Sequence, residues 1–102
     1  MKLQIELDQV SKEGDVKEKV VNKLSSLDKY LKKINADISK GFVRITKGER
    51  FGYKVGFGLN LPGKRLFTEE KREKLLDAVD EARAEMATQL KKYLDHFKRP
   101  RR

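Results

Sequence analysis

Cysteine is absent from this chain, and with it go disulfides, thiolate nucleophiles and cysteine-ligated metals. Histidine occurs once, at His96, so any metal site would have to be all carboxylate. The carboxylates stand at helix-surface spacings such as Glu69/Glu73 and Asp77/Glu81, the pattern of a solvated face. No glycine-rich loop precedes a helix: Gly52, Gly56 and Gly58 fall in a stretch that alternates like a strand. No apolar run approaches the ~18 residues of a membrane span. Met1-Lys2-Leu3-Gln4-Ile5-Glu6 is charged too early for a signal peptide. The expectation is a non-enzymatic protein with no catalytic residue, metal, cofactor or small-molecule substrate and no membrane contact. The lack of cysteine fits a reducing cytoplasm.

Charge is what the chain has in excess. Of its 102 residues 40% are charged, against roughly 25% in an ordinary domain. The net charge is +9. Residues 35–67 carry seven cations against two acids, and residues 91–102 carry six against one. Between them, residues 68–90 carry four against seven. Glu69, Glu70 and Glu73 near a helix start, with Lys91 and Lys92 near its end, suit the helix dipole. The dipole does not account for the excess at 35–67 or for Lys98-Arg99-Pro100-Arg101-Arg102. A field of this sign points to a polyanion, and RNA is the expected one.

The apolar residues are periodic, which marks a folded chain of one-domain size. Leu3, Ile5 and Leu7 alternate with polar residues and predict a first strand. Val16, Val20, Val21, Leu24, Leu27, Leu31 and Ile34 recur at helical spacing and predict a helix from Val16 to Lys33, capped in Ser11–Asp15 and ended by Asn35-Ala36-Asp37. Gly41, Val43 and Ile45 predict a second strand, with a basic hairpin loop over 48–52. Tyr53, Val55, Phe57, Leu59 and Leu61 predict a third. Pro62-Gly63 suits the centre of a type II turn, since proline fixes φ and glycine accepts φ > 0. A fourth strand from about Arg65 to Glu70 precedes a long helix from Arg72 to Phe97, and Pro100 bars its continuation.

The fold class is therefore α+β, in the order β-α-β-β-β-α. Strands 1 and 2 should be parallel and the rest antiparallel, with both helices on one face of a four-stranded sheet. The expected core includes Leu3, Ile5, Val20, Leu24, Leu27, Val43, Ile45, Val55, Phe57, Leu59, Val79, Met86 and Leu90. Residues 1–97 form the domain and 98–102 a basic tail.

Alternation sends Lys40, Phe42, Arg44 and Thr46 to the uncovered sheet face, with Lys54, Gly56, Gly58, Asn60, Arg65 and Phe67. Cations, aromatics and glycines together can receive phosphates, stack bases and admit a backbone closely. The same face could instead be solvated, or join a second copy through Phe42 and Phe67 in a weak homodimer. Lys23 and Lys29 stand on the first helix and Lys91 and Lys92 on the second. Lys47 and Arg50 stand at the loop tip. The candidate RNA-binding residues are thus Lys23, Lys29, Arg44, Lys47, Arg50, Lys54, Lys91 and Lys92.

Lys29-Tyr30-Leu31, Leu59-Asn60-Leu61-Pro62-Gly63-Lys64, Asp77-Ala78-Val79-Asp80 and Gln89-Leu90-Lys91-Lys92-Tyr93, taken in register, resemble the ribosome hibernation-promoting factor family, which includes ribosome-associated translation inhibitors. The resemblance covers about residues 2–97. It implies a fold related to the double-stranded RNA-binding domain. It also implies binding to the small ribosomal subunit, hence to ribosomal RNA, with steric blocking of the messenger and transfer RNA channel. Lys23, Lys29 and Lys92 match basic positions of the family. The chain departs from it at Glu85 and Thr88, where many members carry Lys and Arg. Ending at Arg102, it is similar to the short members that lack a C-terminal dimerisation domain. A general RNA-binding module and a protein-interaction domain are the alternatives.

Overall fold

Side chains that alternate between a covered and an uncovered face build the sheet. In the computed structural model residues 2–8, 16–32, 40–48 and 50–98 are described. The cap expected at 11–15, the helix stop at 35–37 and residues 99–102 lie outside them. The strands are β1 (Lys2–Asp8), β2 (Lys40–Lys47), β3 (Tyr53–Leu61) and β4 (Lys64–Arg72), in the spatial order β1-β2-β3-β4. β1 runs parallel to β2, and the other pairs are antiparallel, as the sequence predicts.

Register places the inner face in rows across the strands: Leu3-Gly41-Leu59-Leu66, Ile5-Val43-Phe57-Thr68 and Leu7-Ile45-Val55-Glu70. Phe57 sits in the middle row on a central strand and is fully buried. Leu3 and Ile5 were expected in the core but are only half-buried. β1 is an edge strand, so its side chains have sheet neighbours on one side alone.

The first helical region is not the single helix that its periodicity predicts. It is α1 (Val16–Leu24), a 3-10 turn over Ser25–Leu27, and α2 (Asp28–Leu31). Ser25 Oγ donates to the carbonyl of Asn22 at 2.9 Å, and Ser26 Oγ to that of Lys23 at 3.1 Å. Such back-bonding competes with the helical ladder and tightens it locally. Val20, Leu24, Leu27 and Leu31 nevertheless stay on one buried face. Helix α3 (Leu75–Lys98) starts three residues later than expected, because Lys71 and Arg72 extend β4 by pairing with Lys54 and Tyr53. Its residues Ala78, Val79, Ala82, Met86, Leu90 and Tyr93 enter the same core as the α1–α2 face and the inner sheet rows. Both helical regions therefore cover one face.

Two glycines carry the reversals. Gly63 has φ +76° in the Pro62-Gly63 turn between β3 and β4, as a type II turn requires. Gly52 has φ +86° before β3, and its carbonyl accepts from Gly48 N–H at 2.8 Å.

Side chains of α3 tie the helix to the sheet's far end. Tyr93 Oη donates to the carbonyl of Pro62 at 2.7 Å, and Gln89 Nε2 donates to that of Phe67 at 2.9 Å. Burial raises the Tyr93 phenol above its ordinary value of 10.0, since the charged form loses its solvation. The native state then keeps the proton where the unfolded chain has released it, so this contribution to stability is full below about pH 10 and is lost as pH rises beyond it. Tyr93→Phe should cost about 1 kcal/mol at neutral pH. It should also flatten the alkaline limb of a denaturation series. An alkaline limb unchanged by the substitution would count against the Tyr93 linkage.

Candidate nucleic-acid interface

The strand directions give the molecule two distinct ends. One, the hairpin end, holds the 48–52 connection, Asp8, Arg72 and the start of α3. The other, the turn end, holds Lys2, Lys40, the Pro62-Gly63 turn and the Tyr93 contact. α1 and α2 return from the hairpin end to the turn end, and α3 runs the same way. The 8 residues of β2 run between the ends, a span of about 23 Å.

Ion pairs gather toward the hairpin end. Arg44 meets Asp8 at 3.2 Å and Lys54 meets Glu69 at 3.9 Å, each pair joining diagonal neighbours on adjacent strands of the outer face. Lys23 Nζ reaches both carboxylate oxygens of Asp80, at 3.0 and 3.2 Å, and links α1 to α3. Arg72 bridges Glu70 at 3.3 Å and Glu81 at 3.6 Å. From Glu73, just before α3, the exposed acids Asp77, Glu81 and Glu85 follow along the helix at four-residue spacing.

Cations at the turn end are arranged differently. Lys2, Lys40, Lys64 and Arg65 on the sheet, with Lys91 and Lys92 on α3, are all exposed. Among the described residues none of these has an ion-pair partner. Among the described residues the ion pairs thus gather at the hairpin end, where Lys47, Arg50, Lys71 and Lys74 also stand exposed, and the turn-end cations have none.

The candidate residues divide accordingly. Lys91 and Lys92 stand at the turn end, beside Tyr93. Lys29 lies on α2, six residues further toward that end than Lys23, with its Nζ 5.2 Å from the Tyr30 ring centroid. Lys47 and Arg50 are exposed at the hairpin end. Arg44, Lys54 and Lys23 are held by carboxylates. Exposed pairs of this kind are worth about 0–1 kcal/mol, so Arg44 and Lys54 can exchange a carboxylate for a phosphate at little cost. The half-buried Lys23–Asp80 pair is a contact between helices first. The candidates therefore form no single patch, and a ligand meeting all of them must be as large as the protein. Lys2, Lys40, Lys64 and Arg65 complete the open end. Lys40 and Arg65 are legible as outward-facing, but not as unpaired, because that depends on cross-strand register.

Between the ends the outer face forms a groove of about 800 Å3. One row across it is Gln4-Phe42-Gly58-Phe67, and the next toward the turn end is Lys2-Lys40-Asn60-Arg65. Among the described residues no cluster of acids or histidines could hold a metal ion. Among them, too, no helix is long and apolar enough to cross a membrane.

Two solved structures share this architecture. The N-terminal domain of Protein Y from Thermus thermophilus superposes with a TM-score of 0.76 at 22% identity, covering 91% of this chain and 99% of that one. A ribosomal subunit interface protein from Coxiella burnetii superposes with a TM-score of 0.78 at 20% identity, covering 93% and 99%. Among curated proteins no relative matches. At these identities the two structures establish the fold. The family model described as sigma 54 modulation protein / S30EA ribosomal protein extends over residues 3–98, from the first strand to the end of α3, and the chain belongs to that family, which is the hibernation-promoting factor family.

Proposed function

We propose that this protein is a ribosome-associated hibernation factor that binds the small subunit in the cytoplasm and halts translation by occupying the channel for messenger and transfer RNA. The observation that carries the reading is the positive turn end, where exposed cations from both the sheet and α3, without an ion pair among the described residues, stand together. Family membership supports a ribosomal partner. One structural relative is named as a subunit interface protein, and the proposal carries that location to this chain.

The mechanism is occlusion without chemistry. Lys91, Lys92 and Lys29 hold phosphates at the turn end, and Lys47 and Arg50 hold others at the hairpin end. Arg44 and Lys54 join them by releasing Asp8 and Glu69. Contacts about 23 Å apart suit a folded RNA surface, which presents phosphates on several walls, better than one short duplex.

Cosedimentation with isolated small subunits at two salt concentrations tests this. Binding should survive an excess of unrelated transfer RNA and fall steeply with salt, since each neutralised phosphate releases counterions. The bound subunits should also fail to accept a messenger fragment. Full competition by unrelated RNA would leave a general RNA-binding module in its place.

A further inference from the structure

The outer sheet face holds a feature that phosphate contacts leave unused. Phe67 is 53% exposed, and its ring leans across β3. Its Cζ lies 3.5 Å from where a Cβ on Gly56 would stand, and its Cδ1 lies 3.5 Å from the same point on Gly58. Any side chain longer than alanine at either glycine would push the ring away. The Arg65 guanidinium reaches over the same strand, with its terminal nitrogen 3.8 Å from the Cβ point of Gly58. Phe42 pairs with Gly58 from the other side. A ring and a guanidinium thus converge on one glycine in the floor of the groove, and Phe42 lines the same groove.

We infer that this is a stacking site for a single-stranded RNA segment, with a base on Phe67 and its phosphate on Arg65 and Lys40. Register supplies the spacing. The cation row lies two residues along the strands from the ring row, ~7 Å, a separation that one nucleotide bridges. Sheets that read single-stranded RNA use exposed aromatics on neighbouring strands in this way. Charge argues against a second copy of the chain as the occupant. Lys2, Lys40, Arg44, Lys54, Arg65 and Lys71 outnumber Glu6, Asp8 and Glu69 on this face, so a two-fold pairing would set positive against positive. Two aromatic rings also offer too little apolar surface for a stable interface, which buries about 800 Å2 per partner.

The inference rests on the RNA-binding reading above and adds a site separate from the helical cations. Fluorescence anisotropy with a labelled, non-self-complementary RNA decamer tests it. Phe67→Ser and Arg65→Gln should each weaken decamer binding by about tenfold or more. Phe67→Trp should restore it, and a duplex of equal length should compete poorly. Both residues are exposed, and unchanged thermal unfolding would show that the fold is intact. Decamer binding indifferent to Phe67 and Arg65 overturns the inference, whatever the subunit result. So does a dimer, seen by light scattering, that Phe67→Ser dissolves. Decamer binding that depends on Phe67 while the wild-type protein ignores small subunits sustains this site and removes the ribosomal reading alone.

Discussion

Replacing Phe57 by alanine is expected to lower the unfolding free energy by about 3–5 kcal/mol. The ring is fully buried on central β3, with Val43 and Thr68 beside it in its row. Val20, Leu24, Val79 and Met86 belong to the same core from the helical side. Strands fixed by backbone hydrogen bonds cannot close around the space left, so the lost transfer energy and the cavity add. A domain of this size has roughly 5–15 kcal/mol in total, so the variant stands near the edge of folding. Urea denaturation is the measurement, with the midpoint falling and the slope unchanged. A loss below about 1 kcal/mol would mean that the core is not organised around this ring.

Reversing charge at the open end is expected to have the largest effect on binding. Lys91→Glu with Lys92→Glu should weaken small-subunit affinity by on the order of tenfold or more and flatten the salt dependence by about two units, one per lost phosphate contact. Both side chains are exposed and neither has an ion pair among the described residues, so stability should hardly move. Glu85→Lys should act the other way. It removes the last of the acids spaced along α3 and extends the positive end by about two turns toward the centre of the helix. Affinity that ignores both changes would place the ribosomal contact away from α3.

Much of the fold was legible because local and global signals agree. Alternation marks the first three strands, and Pro62-Gly63 announces the turn that Gly63 makes at φ +76°. The break after Leu24 was not legible, since Leu27 and Leu31 continue the helical period through it and only the Ser25 and Ser26 hydroxyls betray it. β4 was read too short because its end, Glu70-Lys71-Arg72, is polar, yet ladder pairing with β3 carries the strand to Arg72. The candidate site was legible in kind but not in arrangement. Composition shows cations, whereas register decides that Arg44 and Lys54 meet acids while, among the described residues, Lys40 and Arg65 do not. The convergence of Phe67 and Arg65 on Gly58 depends on side-chain direction, which alternation gives only as inward or outward.

The segregation of charge between the two ends also bears on encounter. A body of mixed charge at one end and chiefly cations at the other is an electric dipole, and a wall of phosphates exerts a torque on such a body as well as an attraction. At physiological ionic strength that torque acts within about 8 Å of the wall. If ribosomal RNA is the partner proposed above, the turn end would swing to the front over that last distance, and a larger share of collisions would arrive correctly oriented. The acids along the first half of α3, which add nothing to adhesion, lengthen the dipole. On the proposed reading they would be repelled by the wall that draws Lys91 and Lys92 in, and would help to decide which way round the protein lands.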